Sequence, residues 1–402
     1  MKYTIFVEKA DELKLIDLTA VSHVIISPLG LSRFGKTSAE ESYVIIQAAR
    51  DLKLSVIIEF DMYCHESLRE GLFYSFKKFY LEALKYSPKE LLVKVCDLGV
   101  ALFCAQELPK INLHLNLETS FHNPHSIMSL ANHPIIGPAL KRVSLSPELP
   151  FMEVKSIARS LHLFNIKTDL LLFGRLLLFS TPRELLTPHF EEILKIKEDL
   201  MIEGGSEESP HKGFPILQNK QGTFMFNSKD LCLLDIPEKL REVGLDSWVI
   251  DLRFEEAEKR VRLTNQALSL TDIFGQEKFL ELKNTYERPV NRGFFLTNKS
   301  DILLPKLKNN RLQNRHQLMI GQIVDVCKEQ GRMAILLRDP EQKIKAPAKL
   351  KLSSPTGKEK DMVVHYFEDA EKKQLTESSG HNLLFIPWMS GMTTRSNVFL
   401  DL

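Results

Sequence analysis

The chain has 402 residues, a formal net charge of +1 at pH 7, 26% charged residues and 44% hydrophobic residues, an ordinary composition for a soluble protein. The near-zero net charge excludes a bulk electrostatic attraction to nucleic acid or to an anionic membrane, although local basic patches are compatible with it. At about 100–200 residues per domain, the length predicts two or three domains, and a barrel alone can take about 250 residues.

The N-terminal stretch "MKYTIFVEKADELKL" has neither the sustained apolar region nor the small-residue cleavage site of a signal peptide. No apolar stretch reaches the roughly 20 residues that span a bilayer. We therefore expect a cytoplasmic protein with no membrane partner. The cysteines are scattered and form no C-x-x-C pair, which favours free, buried thiols over a disulfide framework. They are Cys64, Cys96, Cys104, Cys232 and Cys327.

Short β-like runs alternate with helical patterns up to about residue 285. The β-like runs are 23–28, 55–60, 90–95, 111–117, 142–146, 168–174, 224–228 and 247–253. The clearest helical patterns are 38–54, 68–86, 153–164 and 229–243, and 203–222 is a polar insertion. Ser38 stands three residues before Glu41, which is a capping-box pattern for the start of the first of these helices.

Apolar strands that alternate with helices indicate a parallel sheet covered by helices. About eight such units favour a TIM-like (β/α)₈ barrel over an open sheet. No G-x-G-x-x-G follows the first strand and no G-x-x-x-x-G-K-[ST] occurs, so nothing indicates a Rossmann cofactor site or a P-loop.

The C-terminal part has a different pattern of short strands and Gly/Pro/Ser turns, which predicts a small all-β barrel domain. The preceding segment is polar and lacks periodicity, as expected for a barrel edge and a linker. We therefore predict a (β/α)₈-like barrel over 1–285, an edge and linker over 286–316, and a small β-barrel domain over 317–402.

Several stretches, in this order along the chain, resemble the collagenase-like peptidase family U32. The three most telling are "FGRLLLFSTPRELL" (173–186), "FNSKDLCLLDIPEKLREVGLDSWVIDLR" (226–253) and "NRGFF" (291–295). Residues 96–123 and 142–149 agree with the family upstream, and the "GQIVDV…SSPTGKE" pattern matches a β-barrel often appended to its members. The resemblance implies a TIM-like barrel and one of two activities. Some members are described as proteases, and others hydroxylate tRNA or ribosomal RNA bases, or a quinone ring, without oxygen gas, some taking the oxygen atom from prephenate.

Many of those relatives hold a four-iron four-sulphur cluster with four cysteines, and this chain departs from that pattern. The family has cysteines three and ten residues after the glycine equivalent to Gly174, where this chain has Leu177 and Glu184. The following loop, 203–213, contains no cysteine, so only Cys232 matches a ligand position. One thiolate cannot hold a cluster that needs four ligands. We therefore predict that the cluster is lost and expect no cofactor and no metal site.

Polar residues that follow the β-like runs are the candidate site, since ligand-binding residues of TIM barrels lie at the carboxyl ends of the strands. Facing carboxylates could act as acid and base, and arginines could clamp a carboxylate or a phosphate. Besides Glu59 and Asp61, which also follow a strand, the predicted catalytic residues are Glu148, Arg183, Asp230, Asp251 and Arg253. The predicted substrate-binding residues are Asp97, Asn116, Glu118, Arg175, Asn227 and Lys229.

Some of these residues also have a purely structural interpretation. Asp97 with Gly99 could form a tight turn, and Asp230 could cap a helix. Arg183 and Arg253 match arginines of the family motif. Asp251 stands where the family has Glu, and Pro147 replaces an arginine.

Three functions follow as hypotheses. The first is a base-modifying, hydroxylase-type protein that acts on tRNA or ribosomal RNA and binds a small carboxylate. The second is a peptidase, although the chain has no G-x-S-x-G or H-E-x-x-H motif and offers only strand-end hydroxyls such as Ser180 and Ser228. The third is a non-catalytic binding protein for RNA or a small molecule. The basic segments 298–316 and 343–352 could contact phosphates, but neither interleaves aromatic residues with its charges.

Overall fold

The structure is a computed structural model. It describes residues 1–86, 88–116, 118, 122–196, 199–205, 212–272, 276–296, 318–339, 341–355 and 358–400. The chain forms two compact units, Met1–Asn298 and Lys299–Leu402. None of the helices in the described ranges combines the length and the apolar character that a bilayer-spanning helix needs.

Eight parallel strands of the first unit close into a barrel. The seventh strand in chain order pairs with the sixth on one side and with the closing strand on the other, and the closing strand pairs in turn with the first. The TIM-like fold predicted from the sequence is therefore confirmed. The strands are β1 (Tyr3–Phe6), β2 (Val21–Ile26), β3 (Ser55–Glu59), β4 (Leu91–Val95), β5 (Leu113–Asn116), β6 (Leu140–Ser144), β7 (Lys167–Gly174) and, after the insertion described below, β13 (Ser247–Asp251).

Helices surround the barrel and bury its outward-facing aliphatic residues in one large core. Ser38 caps the second helix, as the capping-box pattern predicts, with its Oγ accepting from the backbone N of Glu41 at 3.1 Å. The Glu41 carboxylate instead accepts from the backbone N of Ala10 at 2.8 Å, and so ties the helix to the segment after β1. The helices of this unit are α1 (Glu12–Leu15), α2 (Ala39–Asp51), α3 (Arg69–Lys85), α4 (Leu98–Glu107), α5 (Pro124–Ala131), α6 (Ile136–Ala139), α7 (Phe151–His162), α8 (Thr187–Ile196), α9 (Pro237–Val243), α10 (Ala257–Asp272) and α11 (Gln276–Thr285).

The barrel interior contains an apolar cluster and a buried polar network. Phe6, Ile25, Ile57, Leu92 and Val249 form the apolar cluster on the strands from β13 through β1 to β4, and Leu171 of β7 packs against it. The polar network is formed by His114 of β5, Arg142 of β6 and Asp169 of β7, all almost completely buried.

An antiparallel sheet is inserted between β7 and β13. Its strands are β8 (Leu177–Thr181), β9 (Leu200–Gly205), β10 (Lys212–Asn219) and β11 (Gly222–Phe226), in the order β8-β11-β10-β9. We call it the cover sheet because it packs on the loops at the carboxyl ends of β2 and β3. Phe34 of the β2 loop lies 4.8 Å from Phe224 between ring centroids, and Asn219 Nδ2 donates to the Arg33 carbonyl at 2.8 Å.

Two element predictions are wrong in this region. The run 224–228 was expected to be a barrel strand, but its residues up to Phe226 belong to the cover sheet, and the missing barrel strand is β1 at the N-terminus. The helix expected over 229–243 begins only at Pro237. The residues before it form β12 (Asp230–Cys232), which pairs antiparallel with the end of β7 and parallel with β14 (Val290–Asn291).

Residues 286–296, predicted to be barrel edge and linker, pack on the first unit through Tyr286 and Phe295, both buried. The remainder of the predicted linker, 297–316, lies outside the described residues, and so does the whole basic segment 298–316.

The second unit is an eight-stranded, curled antiparallel sheet, which confirms the predicted all-β fold. Ile323, Leu352, Val364 and Val398 are fully buried at the centre of its own hydrophobic core. The strands are β15 (Leu318–Cys327), β16 (Arg332–Leu337), β17 (Ala348–Ser353), β18 (Glu359–Val364), β19 (Phe367–Glu368), β20 (Gln374–Leu375), β21 (Leu383–Pro387) and β22 (Asn397–Leu400).

Gly174 at the end of β7 is a position where a side chain has no room. Its φ is +154°, and a Cβ there would lie 2.4 Å from the backbone oxygen of Asp251. We expect Gly174→Ala to lower the free energy of unfolding by about 1–3 kcal/mol, measured by urea denaturation. Gly71→Ala is the control, because Gly71 lies in α3 with open space around it and alanine should stabilise that helix by about 0.5–1 kcal/mol. Equal effects of the two changes would contradict this account.

Candidate functional site

A buried carboxylate, Glu59, lies at the centre of the barrel mouth. Arg253 donates to both of its oxygens, from Nη1 at 2.7 Å and from Nη2 at 2.9 Å. Lys94 Nζ lies 3.3 Å from Glu59 Oε1, and the Ser27 hydroxyl donates to Oε2. Burial alone would raise the pKa of Glu59, but the charges of Arg253 and Lys94 outweigh burial and hold the pKa far below its ordinary value. Glu59 is therefore an anion that cross-links β3, β4 and the loop after β13.

Arg253 is shared between two carboxylates. Its Nε donates to Asp251 at 2.9 and 3.0 Å, and its Nη2 lies 2.6 Å from Asp251 Oδ2. Burial alone would lower the pKa of Arg253, but Asp251 and Glu59 raise it well above its ordinary value. The guanidinium lies 4.8 Å from the Phe6 ring, so this group of ion pairs packs directly on the apolar cluster of the barrel interior.

A second arginine, Arg33, joins two further carboxylates across the mouth. Its Nε and its backbone N each donate to Asp61 at 2.9 Å, and its Nη2 donates to Glu118 at 2.8 Å. Burial alone would raise the pKa of Glu118, but Arg33 and Lys94 hold it below its ordinary value. Arg33 thus links the loop after β2 with the ends of β3 and β5.

Arg175 differs from these cations because it makes no ion pair with any described residue. Its Nε is buried without a hydrogen-bond partner in the described part of the chain, and its Nη1 reaches only the sulphur of Met201, at 3.1 Å. The guanidinium lies 4.7 Å from the Phe254 ring. Burial, and then the charge of Arg288, lower the pKa of Arg175 below its ordinary value. A guanidinium held without a counter-ion is suited to receiving an anion.

Two small cavities lie next to one another at this mouth, with volumes of about 40 and 70 Å³. Both are lined by Lys94, Glu118, Arg175, Leu177 and Asp251. The larger one also reaches Asn116, whose buried amide contributes to the lowered pKa of Glu118. The walls therefore present three donors, from Lys94, Asn116 and Arg175.

A second buried network lies deeper in the barrel. Asp169 accepts from the Ser144 hydroxyl at 2.5 Å and from Arg142 Nη1 at 3.3 Å. His114 Nε2 lies 2.7 Å from Ser144 Oγ, and burial lowers the pKa of His114 to about 4, so the ring is neutral at pH 7. These groups are almost fully buried and compensate one another's charge and hydrogen-bonding capacity inside the barrel. Ser144 also lines the larger cavity.

The structure brings five of the predicted site residues together at the mouth. They are Asn116, Glu118, Arg175, Asp251 and Arg253. Glu59 and Asp61, nominated by the same strand-end rule, also line the smaller cavity. Arg33 and Lys94 were missed: Arg33 lies seven residues beyond β2, and Lys94 lies inside an apolar run that was interpreted as the body of a strand. In the sequence, Lys94 stands out only as a charged residue within an apolar run.

The other predicted residues lie elsewhere. Asp230 is fully buried and accepts from the Tyr286 hydroxyl and from Arg288 Nε, the latter at 2.8 Å. Asp97 caps α4 by accepting from the backbone N of Val100 at 2.9 Å. The remaining four lie on the rim or in exposed turns: Glu148 faces His122 at 3.5 Å, Arg183 follows β8, and Asn227 and Lys229 form the turn after β11.

The residues at the family's cluster positions do not fit an iron–sulphur cluster. Leu177 provides an apolar wall of both cavities, and Glu184 is exposed and bonded to Thr187. Cys232 is buried on β12, and burial raises the pKa of its thiol to about 12, which opposes the thiolate form that binds iron. In the described ranges no group of three or more His, Cys, Asp or Glu side chains is arranged to hold a metal ion.

A sequence profile of peptidase family U32 matches residues 32–304, about two thirds of the chain. The chain belongs to peptidase family U32. A curated relative, the tRNA hydroxylation protein P2 of Bacillus subtilis (strain 168), is 23% identical over 222 residues, which cover 50% of this chain and 67% of that protein.

Two solved structures were also compared. The U32 peptidase Mk0906 has 14% identity and a TM-score of 0.34, over 44% of this chain and 70% of that one. A conserved Enterococcus faecalis protein with an unknown function has 9% identity and a TM-score of 0.34, over 98% and 95% of the two chains. Both TM-scores are below 0.5, so both structural likenesses are weak.

The ion pairs of Glu59 predict a defined dependence of stability on pH. Because the folded pKa of Glu59 is depressed, its contribution is present above the unfolded pKa of about 4.3 and is lost as the pH falls below that value. At pH 7, Glu59→Gln should cost about 3–5 kcal/mol of unfolding free energy, since it leaves Arg253 and Lys94 underpaired. Between about pH 5 and pH 3 the wild type should lose stability more steeply than this variant.

Urea denaturation at pH 7 and across the range from about pH 5 to pH 3 measures this effect. Glu242→Gln is the matched control, because Glu242 pairs with Lys155 at 2.8 Å on the surface and its loss should lower the unfolding free energy far less than the loss of Glu59 does. Parallel pH curves for the wild type and Glu59→Gln would show that the central carboxylate does not govern acid stability.

The missing cluster ligands predict a protein without iron. Anaerobic purification followed by iron analysis and an absorption spectrum should give substoichiometric iron and no visible absorption band. Stoichiometric iron with a visible band would contradict this prediction and would require ligands other than the family's four positions.

Proposed function

We propose that this chain is an RNA-modification protein of the hydroxylation type, acting on a tRNA base, and that its barrel mouth binds a small carboxylate. The family membership and the tRNA hydroxylation relative support the RNA part of this proposal. The observation that carries the carboxylate part is the Arg175 guanidinium, which has no ion-pair partner among the described residues. It lines both cavities with Lys94, and the larger cavity with Asn116 as well.

The charges at the mouth favour a carboxylate over a neutral ligand. Arg33 and Arg253 are each held by two carboxylates, so neither has much capacity left for a ligand. Lys94 makes one ion pair, with Glu59, and Arg175 makes none with the described residues. A ligand carboxylate between Lys94 and Arg175 would satisfy both cations in a buried, low-dielectric place, where charge-assisted hydrogen bonds are strong.

A non-catalytic binding role is the second candidate, because the chain lacks the cysteines that would hold the family's redox cluster. In that case the mouth retains its ligand and the protein contributes binding rather than turnover. The two candidates share the carboxylate site and differ in whether a nucleoside changes when the gene is removed.

The peptidase alternative lacks an activated nucleophile in the described residues. The strongest group is Ser146, His122 and Glu148 at the end of β6. His122 Nε2 lies 3.1 Å from Ser146 Oγ and 3.5 Å from Glu148, so serine and carboxylate share one ring nitrogen. In a catalytic triad they bind opposite nitrogens of the ring. Ser180 is bonded to the Tyr63 hydroxyl and Ser228 faces Asn227 at 3.5 Å, without a histidine among their hydrogen-bond partners in the described ranges.

Titration calorimetry with prephenate and with malonate tests the carboxylate site. Arg175→Met should weaken binding of the bound probe at least tenfold, since a charge-assisted hydrogen bond contributes about 1.5–3 kcal/mol. The affinity of Arg175→Lys should lie between those of the wild type and Arg175→Met, because lysine keeps the charge and loses the bidentate geometry. Arg159→Met on the exposed side of α7 is the control and should bind as the wild type does. Equal affinity of Arg175→Met and wild type would show that Arg175 does not bind the carboxylate.

Deletion of the gene tests the RNA part separately. Mass spectrometry of tRNA and ribosomal RNA nucleosides from the deletion strain should show the loss of one hydroxylated nucleoside, restored by the wild-type gene and not by Arg175→Met. An unchanged nucleoside profile together with intact carboxylate binding would favour the non-catalytic binding role.

A further inference from the structure

Helix α3 has an exposed stripe that the barrel mouth does not use. Glu70, Tyr74, Lys78 and Leu81 follow one another at helical spacing and all face solvent. Tyr74 is 72% exposed and Leu81 40% exposed. A tyrosine ring standing so far out of a helix is typical of residues at protein interfaces.

Glu70 and Tyr74 of this stripe also line one edge of a groove between α3 and α4. The groove has a volume of about 690 Å³, far larger than the cavities at the mouth. The rings of Phe73 and Phe103, which line it, are stacked with their centroids 3.8 Å apart. Leu102 and Val100 of α4 add further apolar lining. One face of the molecule therefore carries both a protruding ring and a recess with an aromatic lining.

The charges along the stripe are self-complementary. Glu70 lies four residues before Tyr74 and Lys78 four residues after it, and neither has an ion-pair partner among the described residues. The neighbouring charges are already paired, Glu66 with Arg69 at 3.4 Å and Lys77 with Glu107 at 3.2 Å. If two such helices run antiparallel and meet at Tyr74, each Glu70 faces the Lys78 of the other copy.

We propose that a second copy of this chain docks here, with the two α3 helices antiparallel about a two-fold axis. Each Tyr74 enters the groove of the other copy, and two Glu70–Lys78 pairs flank the axis. A two-fold interface needs one surface that is complementary to itself, and this face supplies protrusion, recess and both signs of charge. The mixed charges of the rim do not suit a polyanion such as RNA. This inference is independent of the proposed function, because the mouth residues do not line the groove.

Sedimentation velocity of the full-length protein over a range of concentrations tests the proposal. The wild type should show a dimer, and Tyr74→Glu should weaken dimerisation by about a hundredfold or more, as for a central interface anchor. Since Tyr74 is largely exposed, the variant should keep the wild-type circular dichroism and unfolding midpoint at a concentration where both proteins are monomeric. Leu163→Glu, at an 84% exposed position after α7, is the control and should dimerise as the wild type does.

A charge swap tests the antiparallel register. Glu70→Lys and Lys78→Glu should each weaken the dimer about tenfold, since each places two like-charge pairs at the interface. The double variant with both Glu70→Lys and Lys78→Glu should recover most of the lost dimer affinity. A wild type that stays monomeric at all concentrations would overturn the proposal, and so would a dimer that Tyr74→Glu leaves unchanged. A dimer that depends on Tyr74 but not on the charge swap would overturn the antiparallel register.

Discussion

The organisation of the barrel mouth depends on the Glu59 carboxylate, which lies between Arg253 and Lys94 with almost no contact with water. A buried charge is tolerated only when an opposite charge and hydrogen bonds compensate its lost hydration. Glu59 satisfies this condition for two cations at once and so fixes their positions. Arg253 in turn forms an ion pair with Asp251. For the same reason, the buried Arg33 is paired with Asp61 and Glu118.

This pairing leaves one cation, Arg175, without a carboxylate in the described part of the chain. Its guanidinium lies 4.7 Å from the Phe254 ring, and its Nε is buried without a hydrogen-bond partner among the described residues. The cover sheet adds to that desolvation, since Leu177 and Phe226 from its strands line the same cavity. Among the described residues, the mouth therefore combines a network of ion pairs with one cation that lacks a carboxylate partner, and this supports the proposed carboxylate site.

The departure from the family's cysteine pattern has a structural counterpart. At Leu177, where cluster-bearing relatives have a cysteine, this chain places an apolar wall between the cover sheet and the ion pairs. Cys232, at the matching cysteine position, is packed in the hydrophobic core. The scaffold is that of family U32, while two of the positions that the resemblance assigns to cysteines carry Leu177 and the exposed Glu184 in this chain.

The sequence by itself determined the barrel, the all-β unit and part of the mouth. Apolar strands alternating with helices have few other ways to be buried, and the carboxyl ends of parallel strands converge, which is why Asn116, Glu118 and Asp251 were found by position alone. Tertiary structure decided the rest. The strand Tyr3–Phe6 belongs to the barrel only because it pairs with Trp248, Val249 and Ile250, nearly the whole length of the unit away.

The same reason explains the residues that were missed or misplaced. Lys94 points into the barrel because the sheet closes on itself and turns that face of β4 inward. No local sequence pattern predicts that the sheet closes. Asp230 was expected to line the mouth, but it is fully buried and bound by Tyr286 and Arg288, more than fifty residues later. Local patterns set secondary structure, whereas the partner of a buried charge depends on which distant segments meet, and that is fixed only by the folded chain.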